Sequence, residues 1–186
     1  MKHLGISAAL AAGLGIAALN PAHANDGVIN IVGSVTATTC TVEGEAPGGG
    51  TVVKDVDLLG IPRTNLATAG QTAGDKAVTI NIGAPGEVGC TNGDTAYVRF
   101  DPASPAIDFA TGRLNNTATV DPANNVQIQF TNIDGTVIDI ANDDSAGVEI
   151  VNNQARIPLI VRMYANGGAA TVGAVASAVG FEVVYD

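Results

Sequence analysis

Tryptophan is absent from this 186-residue chain, and both of its histidines, His3 and His23, fall within the first 24 residues. Those residues read as a secretory signal. Lys2 gives a short positive start, Leu4 to Leu19 form an apolar run, and Ala22-His23-Ala24 is an A-x-A cleavage site. The run is short and interrupted by glycine, which favours a cleaved signal over a membrane anchor. The mature chain, residues 25–186, then has no histidine. Ser-His-Asp and Cys-His nucleophiles, His-ligated metals and imidazole acid–base chemistry are excluded with it.

Basic residues are also few: 8 Lys and Arg stand against 18 Asp and Glu, for a net charge of −10 that loss of Lys2 makes more negative. No basic patch exists to neutralise phosphates, so nucleic acid is excluded as a partner and adsorption to anionic lipid is disfavoured. The acidic excess reads as solubility. Aromatic residues make up only 4% of the chain. Paired-carboxylate sugar hydrolysis is the one enzymatic alternative left, and the aromatic platforms usual at sugar sites are scarce. The aspartates Asp101, Asp108, Asp121, Asp143 and Asp144 lie mainly in turn contexts such as DPAS, DPAN and NDDS, where Asp is expected for its bonds to nearby backbone. We expect no enzyme.

Cysteine is limited to Cys40 and Cys90. In an exported chain they are expected to pair as one disulfide, worth about 4 kcal/mol in the chain-entropy model. Two thiolates without histidine cannot fill a zinc shell, and Asn142-Asp143-Asp144-Ser145 lacks the spacing of a calcium loop, so no metal or cofactor is expected. Asn115-Asn116-Thr117 matches a glycosylation triplet and marks a surface loop at most. The glycine-rich GEAPGGG (44–50) does not follow a strand and open a helix, so a phosphate cradle is unsupported. Lys54 and Lys76 have no spacing that selects a side-chain cross-link.

What the chain has in quantity is Ala, Val, Ile and Thr, punctuated by Gly, Asn, Asp and Pro. That is an all-β composition, and residues 25–186 suit a single domain with a sizeable core and no internal repeat. Strands are expected at 51–58, 77–82, 96–100, 147–151, 156–164 and 179–185. A hairpin is expected over 126–140, turning at Asp134-Gly135. Pro158 argues that its run starts there or lies at an edge. The segments 43–50, 67–75 and 166–174 read as loops, and a single turn is possible around 61–69. Short strands with such connections predict a sandwich or barrel, of immunoglobulin type.

The first and last mature segments both alternate. In NDGVINIVGSVTATTC (25–40), Ile29, Ile31 and Val35 share a face with Gly27 and Gly33. At the other end Val179, Phe181, Val183 and Tyr185 share a face. Either the two strands pair within one molecule and close the sandwich, or the first strand leaves to pair with another copy.

Five stretches in order along the mature chain bear on that choice: GSVTATTCTV (33–42), LGIPRTNLATAG (59–70), AVTINIGAPGEVGC (77–90), RIPLIVRMYANGGAATVG (156–173) and GFEVVYD (180–186). Together with the signal and the cysteine pair, they make the chain resemble the structural pilins of chaperone–usher fimbriae, close to the type 1 major subunit. The resemblance implies an incomplete immunoglobulin-like sandwich that lacks its final strand and is completed by a donor strand from another chain. It implies residues 25–36 as the donor-strand extension, with Gly27, Ile29, Ile31, Gly33 and Val35 as its facing residues, and 37–186 as the pilin domain. Val179, Phe181, Val183 and Tyr185 then belong to the acceptor groove. The implied partners are other pilin subunits, a periplasmic chaperone and an outer-membrane usher, the chain meeting a membrane only through the usher. The implied destination is the cell-surface fimbrium by way of the periplasm, and the implied role is structural and adhesive. A minor or tip-associated pilin with a receptor- or sugar-binding role is the alternative.

Overall fold

The computed structural model describes residues 40–47 and 49–186. The expected signal (1–24) and donor-strand extension (25–36), with Gly27, Ile29, Ile31, Gly33 and Val35, lie outside the described residues.

Val, Ile and Thr runs bounded by turn formers give strands here, as their stiff branched side chains favour. The strands are β1 (Thr72–Gly83), β2 (Thr95–Phe100), β3 (Ile107–Asp108), β4 (Arg113–Asn115), β5 (Val126–Asn132), β6 (Val137–Ile138), β7 (Val148–Glu149), β8 (Gln154–Ala165) and β9 (Phe181–Tyr185). Arg63–Leu66 forms one short 3-10 turn that buries Leu66. The larger sheet runs β1-β8-β5-β4-β3, and the smaller runs β7-β2-β9, every one of these pairs being antiparallel. One edge of β5 follows β8 from Val126↔Ala165 to Asn132↔Leu159. Its other edge is shared end to end, by β4 at Leu114↔Ile128 and by β6 at Phe130↔Ile138.

Burial follows the pleat. Along β8, Ala155, Ile157, Leu159, Val161, Met163 and Ala165 are buried, and the residues between them are not. They meet Ile80 and Ile82 of β1, Ile128 of β5, and Val98 and Phe100 of β2 in one apolar core. Each full burial contributes about 1.5–3 kcal/mol.

The hairpin over 126–140 forms with Asn132 N–H donating to Thr136 O at 2.9 Å, while the Asp134 carboxylate accepts from Thr136 N–H at 2.9 Å. Pro158 sits inside β8, opposite Thr79. The β5 pairing stops at Leu159, so at Pro158 the strand is flanked, among the described residues, by β1 alone, where a missing donor is tolerable. Two sequence expectations need correction. The segment 67–75 is not all loop, because β1 begins at Thr72 and absorbs Gly74 and Asp75 as an irregularity between Ala73 and Lys76. Gly74 has φ +75° and lies against the Leu58 carbonyl, so it supplies a backbone shape that a side chain would strain. The segment 51–58 alternates in burial as a strand would but belongs to no strand.

Cys40 and Cys90 are bonded, with Cα atoms 4.4 Å apart across a sequence separation of 50. The bond is buried beside the end of β1. There Gly83, at φ +68°, leaves the room that a Cβ would take from Cys90 Sγ and the Asn153 carbonyl. Glu87 ties the same end down, accepting from Thr41 N–H at 2.5 Å and Thr41 Oγ1 at 2.9 Å.

Candidate functional site

A sandwich of six strands against three leaves part of the inner face uncovered. The result is an open apolar cavity of about 1120 Å³ between the sheets. Its floor includes Ile80, Ile128, Phe130, Leu159, Val161 and Met163 from the larger sheet and Val98 and Phe100 from the smaller. Of the chain's four phenylalanines, three gather here. Phe100 and Phe130 are a tilted pair with ring centroids 4.8 Å apart, and Phe181 is the register partner of Phe100. Phe130 stays half-buried although it points inward from the middle of a sheet, because nothing among the described residues covers it.

Two stretches of backbone with unused pairing capacity line this cavity. One is β9, the last strand of the smaller sheet, which among the described residues pairs with β2 alone, from Ala96↔Tyr185 to Phe100↔Phe181. Its other edge presents backbone donors and acceptors with no strand of the described residues beside them. The other is the segment 50–61, which lines the cavity along its length and makes no backbone–backbone hydrogen bond among the described residues. Its side chains alternate as a strand's would: Val52, Val56, Leu58 and Ile61 are half-buried toward the cavity, and Thr51, Val53, Asp55 and Asp57 are exposed. The segment is tied to the larger sheet by the Lys54–Glu43 ion pair at 2.8 Å. Glu43 also accepts from Asn81 N–H at 2.7 Å. Burial pushes the Glu43 carboxyl up, but Lys54 and the Asn81 donors outweigh it and hold the group below the usual carboxylate range.

The structure thus brings Val179, Phe181 and Val183 together on the cavity wall. Tyr185 does not join them. It lies at the far end of β9 opposite Ala96, half-buried against the core and outside the cavity lining. Burial, with the Glu87 charge nearby, pushes its phenol up to about 12. The wall 50–61 and the phenylalanine cluster escaped sequence reasoning. The alternation of Val52, Val56 and Leu58 was readable, but alternation cannot say whether a strand finds a partner. Among the described residues no group of three His, Cys, Asp or Glu is placed to hold a metal ion.

No protein-family model matches the chain. It is 36% identical over 176 residues to the major fimbrial subunit SMF-1 of Stenotrophomonas maltophilia, covering 89% of this chain and 95% of that one. It is 30% identical over 190 residues to the serotype 2 fimbrial subunit of Bordetella pertussis, covering 88% of each. A solved structure of a chaperone–usher pilus shares its fold at a TM-score of 0.56 and 12% identity, over 86% of this chain and 95% of that one. An immunoglobulin-like sandwich with an exposed interior, the fold it shares with that pilus structure and relatives at 30% identity or more have one common reading: the chain belongs to the fimbrial subunits.

Proposed function

We propose that this fimbrial subunit polymerises by donor-strand exchange, with residues 25–35 of one copy filling the cavity of the next. The observation that carries this reading is that β9's open edge and the unpaired segment 50–61 line the same apolar cavity. One extended strand laid there can hydrogen-bond to both stretches while its alternate side chains cover the floor, the mode of β-augmentation known from pilins. Ile29, Ile31 and Val35 are the side chains that do so. Their full burial contributes about 5–9 kcal/mol before backbone pairing, an upper bound because the free chain already buries some of this surface. Gly33 suits a point where donor and groove backbones approach closely. Gly27 offers a groove little.

An uncovered interior of this size is an aggregation hazard in a free subunit. A periplasmic chaperone that lends a strand to the cavity, and an outer-membrane usher where the next subunit's extension replaces it, are the partners this geometry calls for. The resemblance to a major subunit supports a place within the fibre shaft rather than at its tip.

Deleting residues 25–35 is the decisive experiment. The shortened subunit should fold, be recovered with its chaperone, and fail to extend fibres seen by electron microscopy. Fibres of ordinary length from this deletion would overturn the proposal. Ile31→Asp, which places an unpaired carboxylate against an apolar floor, should block or greatly slow assembly.

A further inference from the structure

The sequence contains two Asn-Gly pairs, Asn92-Gly93 and Asn166-Gly167, and the fold treats them oppositely. Asn-Gly is the dipeptide most open to attack of a backbone nitrogen on the preceding carboxamide, because glycine has no side chain to obstruct it. The reaction needs a free carboxamide, a backbone N–H not already committed to a hydrogen bond, and freedom to rotate the two together.

At the first pair, all three are restricted. The Asn92 carboxamide oxygen accepts from Asn153 N–H at 2.7 Å, and Gly93 N–H donates to Ile150 O at 3.0 Å. Asn153 is itself fixed, its Nδ2 donating to Cys90 O at 2.7 Å beside the disulfide. At the second pair the backbone N–H of Asn166 is anchored, donating to Asn125 O at 3.0 Å. Neither the Asn166 carboxamide nor the Gly167 N–H has a hydrogen-bond partner among the described residues, and Gly167 is exposed.

We propose that Asn166 is a site of spontaneous deamidation in the folded protein, and that the fold protects Asn92. The Gly167 nitrogen forms a bond to Asn166 Cγ as the Cγ–Nδ2 bond breaks. The nitrogen's proton leaves with the departing group as ammonia, and a succinimide remains. Water then opens that ring at Cγ to give aspartate, or at the backbone carbonyl to give isoaspartate. The net change is one water consumed and one ammonia released. The product carboxylate arises in a surface pocket lined by amides, including Asn115, Asn116, Asn124, Asn125 and Gln127, with no basic residue in its lining. Each converted copy therefore gains an uncompensated negative charge, so an old surface fibre is more acidic than a new one.

The test uses protein recovered from the cell surface and aged at mildly alkaline pH, then reduced, alkylated and digested with trypsin. Cleavage after Arg162 and Lys76 puts the two pairs in separate peptides, Met163–Asp186 and Ala77–Arg99. The first should gain the mass of oxygen less that of N–H, about 1 Da, and resolve into aspartate and isoaspartate forms. Its rate should exceed that of the second by about tenfold or more, the factor expected when two hydrogen bonds must first be broken at Asn92. In chain aged under denaturing conditions the two rates should converge, and Asn166→Gln should remove the aged acidic species. Equal rates in the folded protein, faster conversion at Asn92, or no conversion at Asn166 while the denatured chain converts would each overturn the proposal.

Discussion

The two faces of β5 have been finished to different degrees. On one, Val126, Ile128 and Phe130 look into the open cavity. On the other, Gln127, Gln129 and Thr131 are more deeply buried than Phe130, although they are polar. Gln127 donates to Asp108 Oδ2 at 2.7 Å and Asn115 Oδ1 at 3.1 Å, and accepts from Thr111 Oγ1 at 3.3 Å. Gln129 accepts from Arg162 Nε at 2.9 Å, and the Arg113 guanidinium lies 3.8 Å over the Tyr164 ring. Two buried side-chain atoms on this face, Arg113 Nε and the Thr131 hydroxyl, have no hydrogen-bond partner among the described residues. The chain thus completes its polar face almost entirely from its own residues and leaves the apolar one to be covered. A buried polar group costs most when its partner is uncertain, whereas apolar contact tolerates exchange of one strand for another.

The contrast is broken most severely at the closed part of the core. Ile157 is 1% exposed and does not line the cavity. Ile157→Ala should cost about 2–5 kcal/mol in denaturant unfolding, by roughly equal amounts with and without a synthetic 25–35 peptide in the cavity. Phe181→Ala should cost much less in the free subunit, because Phe181 is already half-exposed, and more once the peptide is bound. Equal costs for Phe181→Ala in both states would mean that the peptide does not cover this wall. On the polar face, Gln127→Leu strands Asp108, Asn115 and Thr111 together and should cost about 1–3 kcal/mol. Thr131→Val removes a hydroxyl that has no partner among the described residues and should stabilise by about 1 kcal/mol. If Thr131→Val destabilises, that face is packed around the hydroxyl after all.

How much of this could be read from the residues differs for the two faces. The long strands follow their alternation closely, β8 and β9 above all, since period two with branched residues has one stable use. The disulfide follows from there being only two cysteines in an exported chain. The short strands β3 and β4 were not legible, because two or three residues carry no period and are held by tertiary pairing, whereas β7 falls within the strand expected at 147–151. Segment 51–58 shows the deeper limit. Its pattern predicts a strand, and its burial alternates as one would, but pairing is a property of what lies alongside. Tyr185 shows a related limit: the alternation groups it with Phe181 and Val183, yet pattern alone cannot say which of them line the cavity, and Tyr185 is outside that lining. The polar face was invisible as well, since Gln127, Asp108 and Asn115 meet only after β3, β4 and β5 are in register.

The smallest expected effect concerns the tie that holds the unpaired wall. Glu43 joins Lys54, on that wall, to Asn81, on β1. Its folded pKa lies below the ordinary value, so the carboxylate's contribution is complete above that ordinary value and is lost as pH falls through the lowered one. A partly exposed pair of this kind contributes at most about 1 kcal/mol, and Asp108 and Asp134, also held low, add to any global acid sensitivity. A local reporter is therefore needed, and the Asn81 amide serves, because it donates directly to Glu43. Its NMR shift should titrate with a midpoint below that of an ordinary glutamate, and Glu43→Gln should abolish the step. A midpoint at the ordinary value, or a step that survives Glu43→Gln, would mean that the wall is held by its apolar contacts alone. Acid would then leave the cavity's shape unchanged, and the difference between the two faces of β5 would be one of packing, with no electrostatic part.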